Sequence, residues 1–128
     1  MHSGGRGFRL PRARRISTGT EIRSLFQRGK RSKTATLDVF DSPSPAGFSR
    51  AGWVVPLHRH GAVERNRLKR RMRELVRLEL LPRLDQRELS RDVLLRARRE
   101  AYEAGYAELR DELVTWVERR WPLERRSE

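Results

Sequence analysis

Residues 61–81 read GAVERNRLKRRMRELVRLELL, and the fold turns on the periodicity of this stretch. Leu68, Met72, Leu75 and Val76 recur at i, i+4, i+7 and i+8, which predicts an apolar stripe along a helix running from about Val63 to Leu81. Pro82 is the expected stop. Projected at about 100° per residue, Asn66, Arg67, Lys69, Arg70, Arg73 and Arg77 fill the opposite arc, while Arg65 and Arg71 flank the seam. One side of this helix is made to pack, and the other is a basic ridge.

Upstream, Thr18 and Glu21 form a T-x-x-E capping box, Ile22, Leu25 and Phe26 follow at helical spacing, and Gly29 supplies a stop. Residues 34–40 alternate Ala35, Leu37 and Val39 with Thr36, Asp38 and Phe40, the pattern of a half-buried strand. A Pro-rich loop (41–49) leads to a second strand, Arg50 to Val55, ended by Pro56. Downstream, 92–97 fits a strand apolar on both faces. A last helix, about Tyr106 to Trp121, turns Leu109, Leu113, Trp116 and Val117 inward and Glu108, Asp111, Glu112 and Glu118 outward. The order α-β-β(-β)-α-β-α predicts an α/β (α+β) two-layer sandwich, a small mixed sheet of three to four strands with about three helices. Residues 1–15 read as a flexible basic arm, 16–121 as the single domain and 122–128 as a tail.

The 128 residues carry 30 Lys and Arg against 17 Asp and Glu, a net charge of +13. Only three of the 30 are lysines, and the arginine fork suits phosphate oxygens and base faces. Residues 1–31 hold nine basic side chains against one acid, residues 32–99 sixteen against eight, and residues 100–128 five against eight. The cationic surface therefore belongs to the first three-quarters of the chain, and a nucleic acid is the expected partner. With no cysteine, disulfide scaffolds, thiolate metal sites and cysteine nucleophiles are excluded. No apolar run is long enough to span a membrane, and no secretory h-region is present, so a cytoplasmic protein without membrane or small-molecule partners is expected.

Phe40 and Phe26, with Trp53 as a third possibility, are the aromatic candidates for stacking unpaired bases beside the basic ridge. His58 and His60 share one loop but lack the further ligands that a structural zinc requires, so no metal site is expected. Asp38, Asp41 and Glu64 form no array of the kind that holds catalytic metal ions, and Glu74 is expected to pair with Arg70 or Arg71. No catalytic residue is expected in the protein.

Ala62, Val63, Arg65, Asn66, Arg67, Lys69, Arg70, Arg73 and Glu74 fill every fixed position of A-V-x-R-N-R-x-K-R-x-x-R-E. In this the chain resembles the bacterial ribonuclease P protein family, whose RNR motif has that form. Arg50-Ala51-Gly52-Trp53-Val54-Val55 is similar to the family's R-x-G-hydrophobic strand, and 92–98 to its D-I-V-hydrophobic-A-R strand. The chain departs from the pattern at Pro56-Leu57-His58-Arg59-His60, where the family has Ser-Lys-Lys-hydrophobic-Gly, and at Ile22, often a phenylalanine. The resemblance implies the protein subunit of an endoribonuclease that removes the 5′ leader of precursor tRNA. Its hydrolytic centre would lie in a ribonuclease P RNA subunit, with Mg²⁺ held mainly by RNA. It implies that Arg65, Asn66, Arg67, Lys69, Arg70 and Arg73 contact that RNA, and that a cleft with Phe26, Phe40, His58 and Arg59 takes the leader. It also implies a left-handed βαβ crossover, against the usual rule. A non-catalytic RNA-binding protein, ribosomal-protein-like or an RNA chaperone, is the alternative, and a nucleoid-type DNA binder a weaker one.

Overall fold

The structure, a computed structural model, describes residues 9–123. The expected elements form, helix α1 (Gly19–Arg28), strands β2 (Leu37–Pro43), β3 (Arg50–Val54) and β4 (Arg91–Ala97), helix α2 (Ala62–Leu75) and helix α4 (Tyr106–Arg120). Two further elements enter: an edge strand β1 (Lys30–Lys33) and a short helix α3 (Leu81–Gln86). The sheet order is β1-β2-β4-β3, with β3 parallel to β4 and the other neighbours antiparallel. Thus β3 and β4 are the parallel pair joined by the ridge helix.

The α2 stripe is buried as its spacing requires, with Leu68, Met72, Leu75 and Val76 all inaccessible. They meet Leu37, Val39, Val93, Leu95 and Ala51 from the sheet and Leu109, Leu113, Trp116 and Val117 from α4 in the main core. On the other face of the sheet, Phe40 and Leu94 pack against Leu25 of α1 and Ile16. Strand β4 is therefore apolar on both sides because both sides are covered.

Pro82 does not end the long helix. The chain widens into a π-turn at Val76–Leu80 and continues as α3, with Pro82 in its first turn, where a missing N–H costs least. Glu112, expected to face solvent, instead accepts hydrogen bonds at Oε2 from the Thr34 hydroxyl (2.7 Å), the Thr36 hydroxyl (2.8 Å) and the Thr36 N–H (3.1 Å). It clamps the β1–β2 turn onto α4.

The arm expected over 1–15 is docked from Arg9 onward; residues 1–8 of it lie outside the described residues, as do 124–128 of the expected tail. Leu10 reaches the main core, and a 3-10 turn at Arg12–Arg14 aims Arg14 at Asp85 through two bonds of 2.7 and 2.8 Å. The Ile16 N–H then donates to the Ala51 carbonyl at 2.8 Å, bringing the segment alongside β3. Apolar Leu10 and Ile16, set among arginines, supply this anchor.

Candidate nucleic-acid interface

Helix α2 starts at Gly61, whose N–H donates to the Glu64 carboxylate at 3.1 Å. Arg65 Nε donates to the Val55 carbonyl at 2.7 Å, so this arginine fastens the start of the helix to the end of β3 while its terminal nitrogens remain. Asn66, Arg67, Arg70 and Arg73 are exposed, Lys69 half-buried. Among the described residues, none of the five cations Arg65, Arg67, Lys69, Arg70 and Arg73 has a carboxylate at ion-pair distance. Glu74 pairs with Arg77 through bonds of 2.7 and 3.0 Å, not with Arg70 or Arg71 as expected. An acid placed N-terminal to its cation is the better arrangement on a helix, and here it neutralises Arg77 at the end of the arc while leaving Arg67, Lys69, Arg70 and Arg73 without an acid among the described residues.

The acids of the sheet are likewise paired with arginines inside the fold. Asp41 is fully buried between Arg91 and Arg120. Asp92 takes the fork of Arg50 (2.7 and 3.0 Å), which also reaches Glu21 at 2.9 Å. The hydrogen bond to Asp92, aided by its charge and by Glu21, raises the Arg50 guanidinium above its ordinary pKa against the opposing effect of burial. Asp38 contacts Arg98 at 3.2 Å and Arg31 at 3.5 Å.

A second surface lies on the α1 side of the sheet. Strand register sets Arg31, Phe40, Leu94 and Gly52 in one row and Lys33, Asp38, Arg96 and Val54 in the next. Phe26 of α1 meets Phe40 edge-on at 4.9 Å, and the guanidinium of Arg96 lies 5.5 Å from the Phe26 ring centre. Phe40 is only 5% exposed, so it forms the floor of this cleft, whereas Phe26 and Arg96 stand at its rim. Trp53 belongs to the other face, packed against the main core with Arg15 over its ring at 4.4 Å.

The 56–61 loop lies near the same edge of the sheet, where His58 approaches Arg96. His58 (φ 47°) and Arg59 (φ 69°) both occupy the left-handed region, which costs a non-glycine residue about 1–2 kcal/mol. Two contacts hold the loop there: His60 stacks flat on Tyr102 at 3.7 Å, and the Tyr102 hydroxyl donates to the Pro56 carbonyl at 2.6 Å. His58 borders a recess with Asp38, Arg96, Arg98 and Arg99, and a smaller one with Arg59 and Arg99. Arg96 links the Phe26–Phe40 surface to the recess that His58 borders, Arg31 lies over the Phe40 ring at 5.9 Å, and Arg59 lies in the second recess with His58 and Arg99. Arg96 shares a face with Leu94 two residues away, a signal hidden by reading β4 only as an apolar run.

No group of three or more His, Asp or Glu side chains that could hold a metal ion occurs among the described residues. Nor, among them, is any helix long and apolar enough to cross a membrane.

A four-stranded mixed sheet covered by helices on both faces, with an un-neutralised arginine ridge on its crossover helix, defines a small α+β domain of the polyanion-binding class. The family model for ribonuclease P matches residues 10–120. A ribonuclease P protein component of Micrococcus luteus is 43% identical over 115 residues, covering 82% of this chain and 86% of the relative. One of Chloroflexus aurantiacus is 35% identical over 106 residues, covering 82% and 76%. In fold, the chain is similar to the ribonuclease P protein of Staphylococcus aureus (TM-score 0.70, 20% identity, covering 86% of this chain and 99% of that one). The Thermotoga maritima protein is comparably close (TM-score 0.68, 23% identity, covering 82% and 96%). The chain belongs to the ribonuclease P protein family, and is accordingly a subunit of an endoribonuclease of tRNA maturation.

Proposed function

We propose that the α2 ridge, through Arg65, Asn66, Arg67, Lys69, Arg70 and Arg73, docks this subunit on the ribonuclease P RNA. The observation that carries this reading is that these cations have no acid partner among the described residues, while Asp38, Asp41 and Asp92 are saturated inside the fold. A row of such cations meets successive phosphates, and each contact releases condensed counterions. The α1-side surface holds the 5′ leader of precursor tRNA: Phe26 and Arg96 offer stacking and charge at the rim, Phe40 seats Phe26 from below, and His58 and Arg59 line the adjoining recesses. Phosphodiester hydrolysis falls to the RNA subunit, with Mg²⁺ held mainly by RNA, in the cytoplasm. The protein's part is to reduce repulsion between two polyanions, so that less metal ion is needed.

Reconstitution tests this directly. With ribonuclease P RNA and precursor tRNA at low Mg²⁺, the folded protein should restore correct 5′ cleavage. Absence of stimulation would refute the reading.

A further inference from the structure

At the Arg73 end of the ridge, cations without acids gather a second time. Arg9, Arg12 and Arg15 of the docked N-terminal segment and Arg73 of α2 line an open recess of about 550 Å³ with Leu10 and Pro11. No carboxylate lines it, and among the described residues none of the four arginines has an acid at ion-pair distance. Like charges gathered round one recess repel each other, so an arrangement held open this way favours an anion.

The arrangement is built, since three contacts fix the segment that carries it. Leu10 is in the main core, Arg14 forks onto Asp85 and donates from Nε to the Ser49 carbonyl at 3.0 Å, and Ile16 hydrogen-bonds to β3. Arg14 is thus spent as an anchor, and its neighbours Arg12 and Arg15 are left on the recess, Arg15 lying over Trp53.

We infer that Arg9, Arg12, Arg15 and Arg73 form a phosphate-binding pocket that takes one backbone phosphate of the RNA subunit, extending the ridge across two elements distant in sequence. The inference rests on the proposed docking of α2 on that RNA, because Arg73 belongs to both. The shared arginine makes the two surfaces continuous, which favours the RNA subunit over precursor tRNA as the source of the phosphate.

The test is a double-substitution cycle on the full-length protein, reading its affinity for the RNA subunit and for precursor tRNA separately across a salt series. Arg12→Gln should lower the log–log salt slope for the RNA subunit by about one, a loss of roughly tenfold at 0.1 M salt, and leave precursor tRNA binding unchanged. Arg73→Gln should do likewise, and the double variant should lose far less than the roughly hundredfold product, because both lose the same phosphate. Asp85→Asn gives an independent sign. Removing an acid should tighten RNA binding by charge alone, but releasing the anchor should weaken it severalfold. Multiplicative losses, unchanged or tighter binding by Asp85→Asn, or an effect on precursor tRNA alone would overturn the pocket. Arg67→Gln separates the two readings: if it weakens binding and Arg12→Gln does not, the pocket alone fails, and if neither does, the docking reading fails with it.

Discussion

Gly52 shows what a single missing side chain permits. A Cβ at this position would lie 2.3 Å from the Ile16 carbonyl oxygen, well inside contact distance, so only glycine lets the N-terminal segment run against β3. Gly52→Ala should therefore lower stability by about 1–3 kcal/mol through overpacking, read as a lower denaturation midpoint in urea. Because the same segment carries Arg12 and Arg15, that variant should also weaken RNA binding while it remains folded. His58 and Arg59 are the opposite case, two side chains kept in a conformation that favours glycine. Their strain is offset by the stacking of His60 on Tyr102 and by the tyrosine's bond to Pro56. Tyr102→Phe should loosen the loop, altering the dependence of cleavage on leader length and leaving the affinity for the RNA subunit unchanged. Burial raises the Tyr102 hydroxyl above its ordinary pKa, so its contribution to stability is complete below that ordinary value. It is lost as pH rises from that value through the raised one.

At the scale of elements, α2 divides its labour cleanly between two faces. Met72→Ala removes a buried side chain of the stripe and should cost about 2–5 kcal/mol of stability, with RNA binding falling only as the folded fraction falls. Arg67→Gln with Arg70→Gln should change stability by less than about 0.5 kcal/mol yet weaken RNA-subunit binding and flatten its salt slope by about one per lost contact. Thermal melts and titrations on the same samples separate the two effects. This division was legible in the sequence because a helix writes its faces in a fixed period. The continuation past Pro82 was not, since proline breaks a helix interior but fits a first turn, and the intervening π-turn leaves no periodic mark. Strand β1 was not either, because its KRSK sequence has no apolar alternation; it is an edge strand whose charges guard the open side. The ridge lies on one element and was found from it. The surface around Phe26 and Phe40 draws on α1, β1, β2 and β4 together, so no single element's pattern displays the neighbouring Arg31 and Arg96.

For the whole molecule, the distribution of acids matters as much as that of bases. Acids of the sheet are consumed in holding it to its neighbours, Asp41 to Arg120 of α4 and Asp92 through Arg50 to Glu21 of α1, and the net positive charge is thereby left to the surface. The sheet order has a further bearing. Strand β4, last of the four in sequence, lies between β2 and β3, so β3 has no strand partner until β4 is in place. A chain ending at Ser90 should show no cooperative thermal transition and bind RNA only loosely, as a flexible polycation; calorimetry and a salt titration would reveal both. On the ribosome, the strongly basic portion of the chain must consequently emerge before the strand that organises it exists. Selectivity for one RNA over another is therefore expected only once β4 has inserted between β2 and β3, whatever charge the chain already carries.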